Sequence, residues 1–285
     1  MDFSTYPLSG RYYGGSEKKI GILIDGFPYM LKFQKFTAFG PRNNHICEYL
    51  GSHIFSLLGF VVQDTYLGLY QGEQVVACKD FISLGEQFVP FNDVGESSLE
   101  QDKDKYQYSY TDIMHMLEEN KKITNVNETI NQFWKIYIVD ALIGNFDRHG
   151  ANWGFMKKNN KYYLAPVFDN GSSLFPNLVD ELEMQHIISS KEETEKRVFS
   201  FPSSQIQLNG KKSSYYEVIS SLSFHECNVA LMEVVSKINL DKIRSLLDTT
   251  PFISQIHKQF LFHMIEARYK HIILNPYNFL SRKGL

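Results

Sequence analysis

Asn145-Phe146-Asp147-Arg148-His149-Gly150-Ala151-Asn152-Trp153-Gly154-Phe155 is the densest polar cluster in the 285-residue chain. It follows an aromatic-rich stripe, Phe133, Trp134, Tyr137, Ile138, Ala141 and Leu142, whose spacing predicts a helix with that face in the core. Beyond the cluster, Trp153–Met156 and Tyr162–Ala165 are short apolar strands flanking the polar stretch Lys157-Lys158-Asn159-Asn160, so a hairpin folds back. That hairpin would return Asp169 toward Asn152 and gather Asp147, Asn152 and Asp169 at one end of it.

Three oxygen-bearing side chains on loop backbone suit Mg²⁺-dependent phosphoryl transfer. The transferred group needs little covalent help; it needs an aimed acceptor hydroxyl and its charge neutralised by the metal and a lysine. Mg²⁺ takes hard oxygen ligands and keeps waters, so one carboxylate and one amide suffice beside phosphate oxygens. Asp169 is the candidate metal carboxylate and Asn152 the candidate amide. Asp147 is the candidate for the carboxylate off the metal, which orients and deprotonates the acceptor.

Upstream, the pattern is β-rich. Lys19–Ile24 and Tyr29–Phe33 flank Asp25-Gly26, a hairpin signal, and Val61–Tyr70 pairs with Gln74–Phe81 around Gln71-Gly72. Between them Ile46, Leu50, Ile54 and Leu57 or Leu58 recur at helical spacing until Gly59. Gly14-Gly15 precedes the first strand, as where backbone amides approach phosphates with no Cβ in the way. Lys32 lies in an apolar strand, where an unpaired ammonium is costly to bury, and Glu48 on the next helix can hold it. Ile82–Tyr108 is rich in turn residues and charge, and downstream of it helical patterns dominate, including Thr111–Asn120 and Phe252–Leu274. The expectation is an α+β chain: a small antiparallel sheet with one helix over residues 1–83, then a larger, mainly helical lobe over 84–285.

These residues carry a family resemblance. Asp147 and Asn152 keep the D-x-x-x-x-N spacing of protein-kinase catalytic loops, Asp169-Asn170-Gly171 is similar to their D-F-G, and Lys32 with Glu48 resembles their strand-lysine and helix-glutamate pair. The order Asp-Arg-His is similar to HipA-like bacterial serine/threonine kinases and to phosphoinositide kinases. Tyr13-Gly14-Gly15, Met30–Phe33, Val75–Phe81, Leu142–Phe155 and Thr250–Phe260 extend the likeness over nearly the whole chain, to the short type of the cell-translocating kinase A family. The resemblance implies a two-lobed kinase fold with ATP between the lobes, ATP and Mg²⁺ as cofactors, autophosphorylation, and Ser/Thr acceptors on protein substrates. It also implies Lys32 on the α- and β-phosphates, Glu48 positioning Lys32, Gly14 and Gly15 beside the phosphates, and Lys79-Asp80-Phe81 as the hinge that receives adenine. The glycine loop reads Gly10-Arg11-Tyr12-Tyr13-Gly14-Gly15-Ser16 rather than G-x-G-x-x-G, and Ser16 is its candidate autophosphorylated serine. A small helix-turn-helix partner of antitoxin type is a further implication.

Composition narrows the classes. Lys and Arg number 29 against 32 Asp and Glu, a net charge of −3, which gives no general attraction to nucleic acid. Cys47, Cys78 and Cys227 are odd in number and lack a C-x-x-C pair, so neither a disulfide framework nor a four-thiolate zinc site is written here, and a reducing compartment fits. MDFSTYPLSGRYYGG has no basic start and apolar run, and no stretch approaches the ~20 apolar residues of a membrane span. The expected location is cytoplasmic, with export as an effector lacking a cleavable signal compatible with it. Arg148 and His149 are expected to act structurally within the loop, and His45, His53, His257, His263 and His271 to be surface or core residues. Two alternatives stand beside the protein kinase. One is a lipid or small-molecule kinase, from the shared Asp-Arg-His order; the other is a partner-regulated toxin kinase or nucleotide-binding pseudokinase.

Overall fold

Asp25 and Gly26, at φ of 50° and 80°, take the left-handed conformations of a tight hairpin turn and join β1 (Lys19–Ile24) to β2 (Phe27–Phe33). After the short pair β3 (Phe36–Thr37) and β4 (Gly40–Pro41) comes α1 (Asn44–Leu57). A second hairpin follows, β5 (Thr65–Tyr70) and β6 (Glu73–Lys79), turned at Gln71 and Gly72 with φ of 52° and 83°. These four longer strands form one antiparallel sheet in the order β1-β2-β6-β5. The structure is a computed structural model and describes residues 1–14, 18–38, 40–98 and 108–283. The strand expected from Val61 begins only at Thr65, because Val62 bridges Val167 instead and the Gln63 N–H donates to the Val167 carbonyl at 2.9 Å.

Alternation along β2 places the lysine. Tyr29, Leu31 and Phe33 join Phe3, Ile22, Val75 and Ala77 in one buried cluster. Lys32, opposite Val76, therefore emerges on the other face, where it meets α1. The Asn44 side chain fastens the start of α1 to the end of β2, accepting from the Lys35 N–H at 2.9 Å and donating to the Phe33 carbonyl at 3.2 Å.

Downstream, β7 (Gln87–Pro90) runs into α2 (Phe91–Ser98), within the segment whose composition predicts turns. Tertiary contacts override that preference: β7 pairs with β8 (Gly154–Lys158), Phe91 stacks on Trp153 at 4.2 Å, and the Asn92 N–H donates to the Gly150 carbonyl. Ser109 and Asp112 form a capping box at α3 (Tyr110–Glu119), and α4 (Val126–Ile143) buries Phe133, Trp134 and Tyr137 as expected. The hairpin from β8 to β9 (Lys161–Leu164) turns on Asn159 and Asn160 alone, at φ of 48° and 58°, with Lys157 and Lys158 inside the strand. Next come α5 (Glu181–Ser189), α6 (Lys191–Phe199), a hairpin the apolar pattern did not announce, β10 (Ser203–Leu208) with β11 (Lys211–Ser214), then α7 (Tyr215–Ser221), α8 (His225–Val235) and α9 (Leu240–Thr249). The expected single helix over Phe252–Leu274 is α10 (Gln255–Arg268) followed by a π-helical turn, Tyr269–Leu274, and then α11 (Asn275–Arg282). Among the described residues no single helix is long and apolar enough to cross a membrane.

The chain forms two compact units that interleave along the sequence. One comprises Met1–Phe81, Pro166–Ser189 and Asn239–Phe262; the other comprises Ile82–Ala165, Ser190–Ile238 and His263–Leu285. This is not one cut between residues 83 and 84, because Val167 joins the Val61–Gln63 backbone and α9 packs on α1. Such long-range contacts leave no mark in local periodicity.

One core residue sets a pH limit on stability. His257 in α10 is 6% exposed, and burial pushes its imidazole down from 6.5 to about 4. Below pH 6.5 the unfolded chain binds a proton that the folded one refuses, so stability falls as pH drops toward 4, by about 3 kcal/mol at the low end. His257→Gln is expected to flatten the decline of melting temperature across that window; equal slopes in both proteins would contradict the assignment.

Candidate active site

In the unit that holds the four-stranded sheet, Lys32, Glu48 and Asp169 come together. Lys32 Nζ donates to Glu48 Oε2 at 2.8 Å and to Asp169 Oδ1 at 2.9 Å. Burial alone would pull the ammonium down, but the Asp169 and Glu48 carboxylates outweigh it and hold the lysine well above its ordinary range. Glu48 Oε1 accepts the Asn170 N–H at 2.9 Å, so one helix glutamate grips both the lysine and the Asp169-Asn170-Gly171 backbone. Asn170, fully buried, donates to Ser52 Oγ at 3.3 Å, and its carbonyl accepts Ser173 Oγ at 2.7 Å. α1 passes this segment at Gly51, where a Cβ would run into the Asn170 side chain. These clamps hold Asp169 at φ 56°, a left-handed conformation that costs a non-glycine residue free energy and that clusters at functional positions.

The same unit contains Lys79-Asp80-Phe81, which starts at the last residue of β6. The Lys79 N–H donates to the Asp64 carbonyl, the Lys79 carbonyl accepts Gln63 Nε2, and the Asp80 N–H donates to the Pro28 carbonyl, each at 2.9 Å. Arg11 pairs with the Asp80 carboxylate, which also accepts Tyr13 Oη at 3.2 Å. Burial, aided by the Asp80 charge, pushes the Tyr13 phenol up to about 12. The Phe81 ring lies 5.5 Å from that of Phe168. Gly14 offers its carbonyl to Lys19 Nζ at 2.6 Å. Gly15 and Ser16 lie outside the described residues.

In the other unit, Gly144 ends α4 at φ 64° and the loop 145–152 begins. Asp140 in the last turn of α4, 1% exposed, receives Arg148 through Nε and Nη2, both at 2.9 Å, in a forked ion pair, and Asn145 Nδ2 at 3.1 Å. Arg148 Nη1 reaches the Asn152 carbonyl at 3.1 Å. Four successive loop carbonyls accept side-chain donors. Tyr215 Oη reaches Asn145 and Gln205 Nε2 reaches Phe146, both at 2.6 Å; Asn152 Nδ2 reaches Asp147 at 2.8 Å and Tyr108 Oη reaches Arg148 at 3.1 Å. The Asp147 N–H donates to Asn145 Oδ1 at 2.9 Å. On this fixed backbone the Asp147 side chain stays 41% exposed, with His149 Nε2 3.8 Å from its carboxylate. Arg148 is thus a loop anchor, as its position in sequence suggested.

Residues 12–235 match the HipA-like C-terminal domain family, most of the chain and both sets of candidate residues. The chain belongs to the HipA-like family. Serine/threonine-protein kinase CtkA of Helicobacter pylori is 34% identical over 282 residues, which cover 96% of this chain and 86% of that protein. The crystal structure of the H. pylori proinflammatory kinase CtkA superimposes with a TM-score of 0.92 at 32% identity, covering 100% of this chain and 99% of that one. HipA of Shewanella oneidensis, solved with HipB and operator DNA, has a TM-score of 0.59 at 13% identity over 95% of this chain and 67% of its own, a likeness of fold alone. The HipA-like chain is accordingly a CtkA-like kinase, with the α+β fold expected of it.

Sequence reasoning missed the supports of the loop in this HipA-like chain. Asp140 carried a signal, an acid inside the apolar run Ile138-Val139-Asp140-Ala141-Leu142, where an unpaired carboxylate is costly. Tyr108, Gln205 and Tyr215 carried none, since each reaches the loop from 40 or more residues away.

Proposed function

We propose that this chain is an ATP- and Mg²⁺-dependent serine/threonine protein kinase that also phosphorylates itself. The observation that carries the reading is the buried ion triad of Lys32 with Glu48 and Asp169. A lysine kept charged inside a protein by two carboxylates can exchange one of them for phosphate oxygens without losing its counter-charge. Glu48 is the partner that stays, since it also holds the Asn170 N–H. Asp169 is the partner with the more exposed side chain, 38% against 2% for Glu48, and so the one available to a cation.

The donor set fits Mg²⁺. Asp169 brings a carboxylate; Asn152 brings an amide whose Nδ2 is spent on the Asp147 carbonyl, which leaves Oδ1 as its ligand atom. Among the described residues no group of three His, Cys, Asp or Glu side chains gathers as a metal site, so the remaining ligands would be phosphate oxygens and water. When bound, Mg²⁺ supplies positive charge to the phosphates and the leaving oxygen. Lys32 neutralises the α- and β-phosphates, Glu48 holds Lys32 in place, and Asp147 accepts the proton of the acceptor hydroxyl and aims its oxygen. Gly14 and Gly15 would border the phosphates and Lys79-Asp80-Phe81 the adenine, with Ser16 as the autophosphorylation site.

Asp169→Ala tests the metal assignment. Titration calorimetry with ATP is expected to show Mg²⁺ strengthening binding to the wild-type protein, and that gain reduced about 10-fold or more in the variant. An equal Mg²⁺ dependence in both would remove Asp169 from the metal.

A further inference from the structure

Arg268, the last residue of α10, is 1% exposed, and among the described residues no carboxylate pairs with it. Its counter-charges are two helix ends. Nε donates to the Ala141 carbonyl in the last turn of α4 at 2.6 Å, and Nη1 donates to the Arg197 carbonyl in the last turn of α6 at 2.5 Å. Each C-terminus carries roughly half a negative charge, so two of them balance one guanidinium. The remaining nitrogen, Nη2, is buried without a hydrogen-bond partner, and burial pushes the group down from 12.5 to about 10. An apolar side chain of similar length would fill this space at less desolvation cost. What only the planar fork does is tie both helix ends at a fixed separation.

The contact leads directly to the loop. Gly144, three residues beyond Ala141, lies so close that a Cβ on it would stand 3.5 Å from Arg268 Nε and 3.0 Å from Pro202. The Arg268 guanidinium lies 5.9 Å from the Tyr215 ring, and the Tyr215 hydroxyl holds the Asn145 carbonyl at 2.6 Å. Asn145 in turn accepts the Asp147 N–H. Directly after Arg268 the helix widens into the π turn Tyr269–Leu274, which packs against α4 and α7.

We infer that Arg268 is a positioning residue for Asp147, fixing the exit of α4 and the Tyr215 contact from which the loop 145–152 hangs. The inference rests on the phosphoryl-transfer reading for its effect on turnover, and on the geometry alone for its effect on the loop.

Three variants test it: Arg268→Lys, Arg268→Met and Tyr215→Phe. Arg268→Lys keeps charge without the fork, and its kcat is expected to fall about 10- to 100-fold with the KM for ATP within about twofold of wild type. Arg268→Met is expected to fall further, Lys thus rescuing part of the loss, and Tyr215→Phe to resemble Arg268→Lys. Hydrogen exchange reads the loop independently of activity: amides of residues 145–152 are expected to exchange about 10-fold faster in Arg268→Lys, with those of β1 and β2 unchanged. Wild-type loop exchange in Arg268→Lys would overturn the inference, as would a wild-type kcat. Should Arg268→Met fail to fold, Arg268→Lys and Tyr215→Phe decide the question. A wild-type protein that transfers no phosphate would overturn the kinase reading instead, while loop exchange still decides whether Arg268 holds the loop.

Discussion

Asp147→Ala is expected to lower phosphoryl transfer about 10²- to 10⁴-fold, the range that a positioned general base supplies. Melting temperature and ATP affinity are expected to stay close to wild type. This separation follows from how the loop is built. Three bonds at residue 147 are made by its backbone: its N–H donates to Asn145 Oδ1, and its carbonyl accepts Asn152 Nδ2 and the His149 N–H. Truncation at Cβ leaves all three in place. The side chain is 41% exposed, so little apolar surface or buried polarity changes with it. A parallel loss of nucleotide binding would show that Asp147 supports the site's shape rather than the proton transfer, and calorimetry beside initial rates separates the two outcomes.

Asp140→Ala is expected to have the largest effect on stability. The variant leaves Arg148, itself 8% exposed, as a buried cation whose forked partner is gone, a change that costs about 3–5 kcal/mol. For a chain of this size that corresponds to a melting temperature lower by on the order of 10 °C. Turnover should fall as well, because Arg148 also reaches the Asn152 carbonyl and Asn145 Nδ2 loses its acceptor. Asp140→Leu combined with Arg148→Met removes both charges and fills the space, so it is expected to recover most of the stability but not the turnover. Calorimetric melting of the single and double variants checks the first statement, and initial rates check the second. A double variant as unstable as Asp140→Ala would mean that shape, not the unpaired charge, sets the cost.

The two halves of the chemistry were unequally legible in the sequence. Lys32 stood out because a charged residue between Leu31 and Phe33 in an apolar strand demands a partner, and the helix beginning at Asn44 offered Glu48. Asp169 on the same lysine was within reach of reasoning only through the resemblance of Asp169-Asn170-Gly171 to a known motif. Asp147 and Asn152 were visible by spacing, yet the bonds that make their loop rigid were not. Tyr215 and Asn145 stand 70 positions apart, and Gln205 and Phe146 stand 59 apart. Turn-rich composition also misled at Asn92 and Asp93, whose turn chemistry yields to pairing of β7 with β8 and to the stack of Phe91 on Trp153. The interleaving of the two units is of the same kind, since it depends on where Val167 and α9 dock rather than on any boundary signal.

Phosphoryl transfer to Ser/Thr hydroxyls is tested by incubating the purified protein with γ-labelled ATP and Mg²⁺, with and without a generic protein acceptor, beside Asp147→Ala, followed by mass-spectrometric site mapping. Label is expected on serine or threonine in the wild-type reaction, dependent on Mg²⁺ and lost in the variant, with Ser16 among the mapped sites. Wild-type protein that binds Mg²⁺-ATP yet labels no hydroxyl of itself or of the acceptor would contradict it.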